Sequence, residues 1–129
     1  MKQYLLALAL ACSSSAFAAP DTYSSAFQVC AKRAATGEQS RKCYDAEVSL
    51  QKKRINTAYN RLLRHYAGDV RSANELNKLQ KDWIAYRDSL FIFLENGTPA
   101  RSGVAEDSYL KLLTQQASHL ETVADVLGD

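Results

Sequence analysis

Two histidines, two prolines and three cysteines in 129 residues leave little material for several kinds of chemistry. His65 and His119 lie far along the chain from Cys30 and Cys43, and no ligand spacing repeats, so no metal site is expected. No Gly-x-Ser-x-Gly elbow is present, "GTPARSG" lacks the Lys-Ser/Thr ending of a phosphate loop, and both histidines fall outside the main apolar arcs. The adjacent acids Glu106 and Asp107 resemble paired carboxylates, but placement at a helix N-terminus explains them through the backbone dipole. The chain therefore reads as a non-enzyme without a cofactor. An excess of one charge sign is also missing: 16 Lys+Arg against 14 Asp+Glu supply no global field that would steer it to nucleic acid or an anionic membrane. No hairpin signal joins alternating runs, and Pro20 and Pro99 both lie outside the helical patterns, so no sheet is expected.

What is present begins with "MKQYLLALALACSSSAFAAP", a lysine followed by a short apolar run and an A-x-A site at Ala16-Phe17-Ala18. This reads as a secretory signal peptide over 1–18, with a run from Leu5 to Ala11 too short to span a membrane. A competing reading makes Cys12 a lipid-bearing cysteine. It is disfavoured because the residue three places before is Ala9, with the leucine one place late at Leu10. Cleavage after Ala18 leaves 111 residues (19–129), enough for one domain, with a formal charge of +1 once Lys2 is gone. The implied location is the periplasm. Cys30 and Cys43 then remain, an even number in an exported protein, and are expected to form a disulfide worth about 3 kcal/mol in the chain-entropy model.

Four segments carry helical periodicity. The first runs from a cap at Asp21 or Thr22 to Ala35, and the second from near Ser40 to Tyr66 with Tyr44, Val48, Ile55, Tyr59, Leu62 and Tyr66 on one arc. After the turn "AGDVRSAN", a third spans about Ala73 to Glu95, with Leu76, Leu79, Trp83, Tyr86, Leu90, Phe93 and Leu94 assigned to its buried face. A fourth, capped by Glu106, Asp107 or Ser108, presents Tyr109, Leu112, Leu113, Leu120, Val123 and Leu127. Short connections predict an all-α, up-and-down bundle in which each long helix is the antiparallel neighbour of the next. Cys43 is assigned to a second face of its helix with Ala46 and Leu50, over which the short first helix is clipped by the disulfide.

Within "LQKDWIAYRDSLFIF", Arg87 projects into the margin of the apolar arc between Leu94 and Phe91, whereas Asp88 points away. An unpaired charge out of water is expensive, so partners are required. The antiparallel register offers Gln116, with Asn56 as a second candidate and Trp83 shielding the arginine's stem. A structural pin in the core is favoured over a ligand hook.

The runs "CYDAEVSLQKKRINTAYNRLL" and "LQKDWIAYRD" resemble the LprI-like lysozyme-inhibitor family of small exported bacterial domains. The positions that carry the resemblance are Cys43, Glu47, Ile55, Asn56, Tyr59, Gln80, Trp83, Tyr86, Arg87 and Asp88, and it extends from Cys30 to about Leu120. Two departures stand out. Phe91 and Leu112 occupy places where the family often has cysteines, which suggests a contact kept as packing, and Ala117 stands near the place of a family arginine.

The resemblance implies a protein partner, a lysozyme-type muramidase whose peptidoglycan cleft works with a carboxylic acid and a carboxylate. A loop offering arginine or amide donors could occupy such a cleft. "ENGTPARSGVAED", with Asn96, Arg101 and Ser102, is the candidate, against the plain alternative of a long helix connection. The near-neutral charge weighs against meeting a basic lysozyme. An immunity protein against a periplasm-delivered toxin, or an envelope-maintenance factor, is the other class of answer. Arg54, Arg61 and His65 share a face of the second helix with Lys53 and Arg64 nearby, but Glu47 lies along the same line and no aromatics interleave, so a solvated face is expected there.

Overall fold

A computed structural model describes residues 23–100 and 102–127. The proposed signal peptide with Cys12, Pro20, the expected caps Asp21 and Thr22, and Arg101 lie outside the described residues. Four helices and, among the described residues, no strand make the fold all-α: α1 (Ser25–Arg33), α2 (Gly37–His65), α3 (Val70–Gly97) and α4 (Val104–Leu127).

Caps explain why the helices start where they do. Ser24 Oγ accepts from the Phe27 amide at 3.1 Å, Thr36 Oγ1 from Gln39 at 3.2 Å, and Asp69 from Ser72 at 3.1 Å. α2 and α3 consequently begin three residues before the expected Ser40 and Ala73. α4 starts at Val104, directly after Gly103, whose φ of 73° is the left-handed conformation that favours glycine. Glu106 and Asp107 thus sit in its first turn, where the dipole favours them, and are not its caps.

The order of packing differs from the simple succession expected. Tyr44 bonds at the level of Glu106, Arg54 at Ser118 and Glu121, and Arg61 at Asp125, so α2 and α4 run parallel, side by side. α3 returns antiparallel along α4, with Phe91 against Tyr109 and Gln80 bonded to Gln116. α4 is therefore the element that both other long helices pack on. The core is its seam with α2, where Ile55, Ala58 and Leu62 meet Leu113, Ala117, Leu120 and Ala124. Alanines alternating with leucines let the two helices approach closely.

This geometry corrects several assignments. The stripe of α2 that is buried is Cys43, Glu47, Gln51, Ile55, Ala58 and Leu62. Cys43 thus lies in line with the core, while Ala46 and Leu50 are exposed; Tyr44, Val48, Tyr59 and Tyr66 are half-buried flanks. α3 buries no residue completely, because it touches the seam from one side only. Leu76 and Trp83 pack against the core, but Leu79, Tyr86 and Phe93, expected inside, are exposed. In α4, Tyr109, Leu112 and Val123 are half-buried and Leu127 is exposed.

The short α1 has no buried residue of its own and is held by two links. The expected disulfide joins Cys30 and Cys43, with Cα atoms 5.7 Å apart. At its other end, the Ser24 backbone N–H and hydroxyl donate to the buried Glu47 carboxylate at 2.8 and 2.5 Å.

Candidate binding site

The signature "WIAYRD" lies on α3, and its arginine is held between two rings. The Arg87 guanidinium is 5.2 Å from the Trp83 ring centroid and 5.1 Å from that of Tyr109 on α4. A planar cation between two aromatic faces is attracted by both quadrupoles and keeps its edge available for hydrogen bonds. Nε donates to Asp88 Oδ1 at 2.8 Å, and Nη2 lies 2.7 Å from the same oxygen, so Asp88, expected to point away, is its ion-pair partner. The arginine is 13 % exposed and its carboxylate 53 %, so the charge is partly desolvated while its partner meets water. Trp83 shields the arginine as expected, but the expected amide partners do not: Gln116 donates to Gln80 at 3.0 Å, and Asn56 is exposed. Arg87 thus braces α3 against α4, as a pin.

Other signature residues do similar work. Cys43 and Glu47 anchor α1, Ile55 is core, the Tyr59 hydroxyl donates to Asn77 across to α3 at 3.2 Å, and Gln80 ties α3 to α4. Tyr86 and Asn56 are the exceptions, both exposed.

Of the basic face of α2 expected to be solvated, Lys53, Arg64 and His65 are exposed, but Arg54 and Arg61 are half-buried in a polar ladder directed at α4. Gln51 donates to Glu47 at 2.7 Å and accepts from Arg54 at 2.7 Å; Arg54 forks onto the Glu121 carboxylate at 2.9 and 2.5 Å. Arg61 pairs with Asp125 at 2.9 Å, while His65 is exposed. Every buried side-chain polar atom described has a partner, as a stable buried network requires. Glu47 and Gln51 repeat at the four-residue spacing of Cys43 and Ile55, which is the signal that could have revealed them as buried.

At the end of the bundle, the α3–α4 connection closes on itself. The Ser102 N–H donates to the Pro99 carbonyl at 3.1 Å, the Thr98 hydroxyl to Leu94 at 2.7 Å, and the Ser102 hydroxyl to Thr98 at 3.3 Å. A shallow cavity of about 250 Å³ opens there, lined by Glu95, Thr98, Pro99, Ser102, Gly103 and Glu106 among others. Asn96 is exposed in the last turn of α3, so of the candidate loop residues it and Ser102 share one tip. Nearby, the Tyr44 hydroxyl donates to the Glu106 carbonyl at 3.3 Å, and burial, followed by the charge of Glu106, pushes this phenol up to about 12.

A family model described as "Lysozyme inhibitor LprI" matches residues 30–120, which take in the disulfide, the α2 side of the ladder and the whole of α3. The chain belongs to this family. No curated protein and no solved structure matches it. The family is by its description one of inhibitors, and that description gives a protein, lysozyme, as the target. Of the two departures from the family pattern, Phe91 packs edge-on against the Tyr109 ring at 5.5 Å, and Ala117 is fully buried in the α2–α4 seam. Among the described residues, no helix is long and apolar enough to cross a membrane.

Proposed function

We propose that this protein is exported to the periplasm by a cleaved signal peptide over 1–18, and that its single domain, 19–129, inhibits a lysozyme-type muramidase by binding and not by catalysis. The observation that carries this reading is the family match across 30–120. The geometry supports it in one further respect. Glu47, Gln51, Arg54, Trp83 and Arg87 are occupied in holding the helices together, so contact with another protein falls to the exposed ends and outer faces.

The α3–α4 tip is the proposed inhibitory element. It is a compact turn fixed by its own hydrogen bonds and by Pro99, which lowers the ordering cost of entering a cleft. Asn96 and Arg101 offer donors to the carboxylates of a muramidase cleft. Glu95 and Glu106 at the base of the tip add local negative charge suited to the rim of a basic enzyme, although the chain as a whole is slightly positive.

The test is the clearing of a cell-wall suspension by purified muramidases of several types with increasing amounts of this protein. Slowed clearing at near-stoichiometric amounts, weakened by Arg101→Glu, is the expected result. Unaltered clearing with every type at large excess would remove the inhibitor reading and leave an immunity or envelope role.

A further inference from the structure

Leu79, Tyr86 and Phe93 recur at seven-residue intervals along α3, within about 40° of one another on a helix of 100° per residue. Between them Leu76, Trp83 and Leu90 complete an alternating three- and four-residue repeat, the pattern of a coiled-coil seam. Leu76 and Trp83 of the second set turn towards the core. The first set forms an apolar ridge that no other described element covers, with Leu79 66 %, Tyr86 57 % and Phe93 69 % exposed. A helix apolar on two sides is suited to lie between two neighbours, and α4 supplies only one.

We infer that the second neighbour is α3 of another copy of this chain, packed antiparallel about a twofold axis at Tyr86. Such an axis sets Tyr86 against its equivalent and Leu79 of each copy level with Phe93 of the other, so one ridge complements itself. Charge placement selects this direction. Glu75 and Asp82, ion-paired one turn back with Arg71 and Lys78, border the ridge in its N-terminal half, and no acid borders it in the C-terminal half. A parallel pair would crowd each of these ion pairs against its own equivalent at one end of the seam. The antiparallel pair sends them to opposite ends, Asp82 level with Leu90 and Glu75 with Gly97.

The area sets the strength. At about 200 Å² for a full large side chain, the three ridge residues expose on the order of 400 Å² per copy. Two copies then cover about 800 Å², and the half-buried flanks Leu76, Trp83 and Leu90 carry the total past the roughly 1,000 Å² that separates a specific interface from a casual one. The dimer is therefore a reversible one that dissociates on dilution. It stands apart from the inhibitor reading, since the turn that closes between Pro99 and Ser102 lies past Phe93, the last residue of the ridge.

Sedimentation velocity of the purified protein from low-micromolar to sub-millimolar concentration provides the test. Wild type should shift from monomer to dimer across the series, and Tyr86→Glu should remain monomeric with an unchanged circular dichroism spectrum, since Tyr86 supports no core contact. Register is read by oxidation: Tyr86→Cys should be captured as a covalent dimer, Leu79→Cys alone should not, and Leu79→Cys mixed with Phe93→Cys should be. A monomer throughout the series overturns the inference. So does capture of Leu79→Cys with itself as readily as Tyr86→Cys, and so does a monomeric wild type whose ridge variant has lost muramidase binding, which would assign the ridge to that enzyme.

Discussion

Replacing Glu47 by alanine tests how the N-terminal helix is held. The carboxylate is 2 % exposed and accepts three hydrogen bonds, from the Ser24 amide, the Ser24 hydroxyl and Gln51 Nε2. Each charge-assisted bond is worth about 1.5–3 kcal/mol, but removing the acid also relieves its own desolvation penalty, which is several kcal/mol. What decides the sign is the set of donors left behind. The Ser24 amide and Gln51 cannot be removed with the acid, and an alanine offers them nothing. A net loss of about 2–4 kcal/mol follows, a large share of the stability of a domain this size. Urea unfolding followed by circular dichroism should show a lower midpoint at unchanged slope. Glu47→Gln, which keeps one acceptor, should lose about half as much. Because the Cys30–Cys43 link still tethers α1, hydrogen exchange at the Gln28 amide, bonded to the Ser24 carbonyl, should accelerate more than exchange in α4. Ser24→Ala added to Glu47→Ala should cost less than the sum of the two. A midpoint for Glu47→Ala equivalent to less than about 0.5 kcal/mol of change would refute the reasoning, since surface substitutions do that much.

Three further outcomes follow from the same packing. Leu113 is fully buried in the α2–α4 seam, so Leu113→Ala should lower stability by about 3–5 kcal/mol in the same unfolding measurement. Arg87→Lys keeps the charge but loses the planar group between Trp83 and Tyr109; a cost of about 1–2 kcal/mol and a changed emission of the single tryptophan are expected, whereas Asn56→Ala should change neither. Burial and Glu106 raise Tyr44 to about 12, so the stability it contributes is intact below pH 10 and is lost as pH rises towards 12; phenolate absorbance should show a late-titrating component that Tyr44→Phe removes.

Helix number, order and approximate length were legible because long amphipathic periodicity and cap residues are local properties of the chain. The disulfide was legible from cysteine parity and spacing, and the partial burial of Arg87 beside Trp83 from its place in the apolar arc, though the expected Gln116 and Asn56 are not its partners. Neighbour choice was not. Short loops argue for sequential packing, but the alanines at 58, 117 and 124 let α4 settle more closely on α2 than α3 could, which turned half of the α3 arc outward. Glu47 was placed along a face expected to be solvated, and Gln51 was not singled out, because residue type outweighed their spacing. Their burial depends on Ser24 and Arg54 arriving from either side, a long-range event that periodicity does not encode. The tip residues were singled out by composition, and the structure adds that Ser102 uses its hydroxyl within the turn.

Residue-resolved hydrogen exchange of the dilute, monomeric protein tests most directly the claim that the core is a two-helix seam with α3 applied to one side. The slowest amides should lie between Ile55 and Leu62 of α2 and between Leu113 and Ala124 of α4, with α3 exchanging markedly faster. Protection of α3 equal to that of α2 and α4 would contradict the account and restore a core shared by all three long helices.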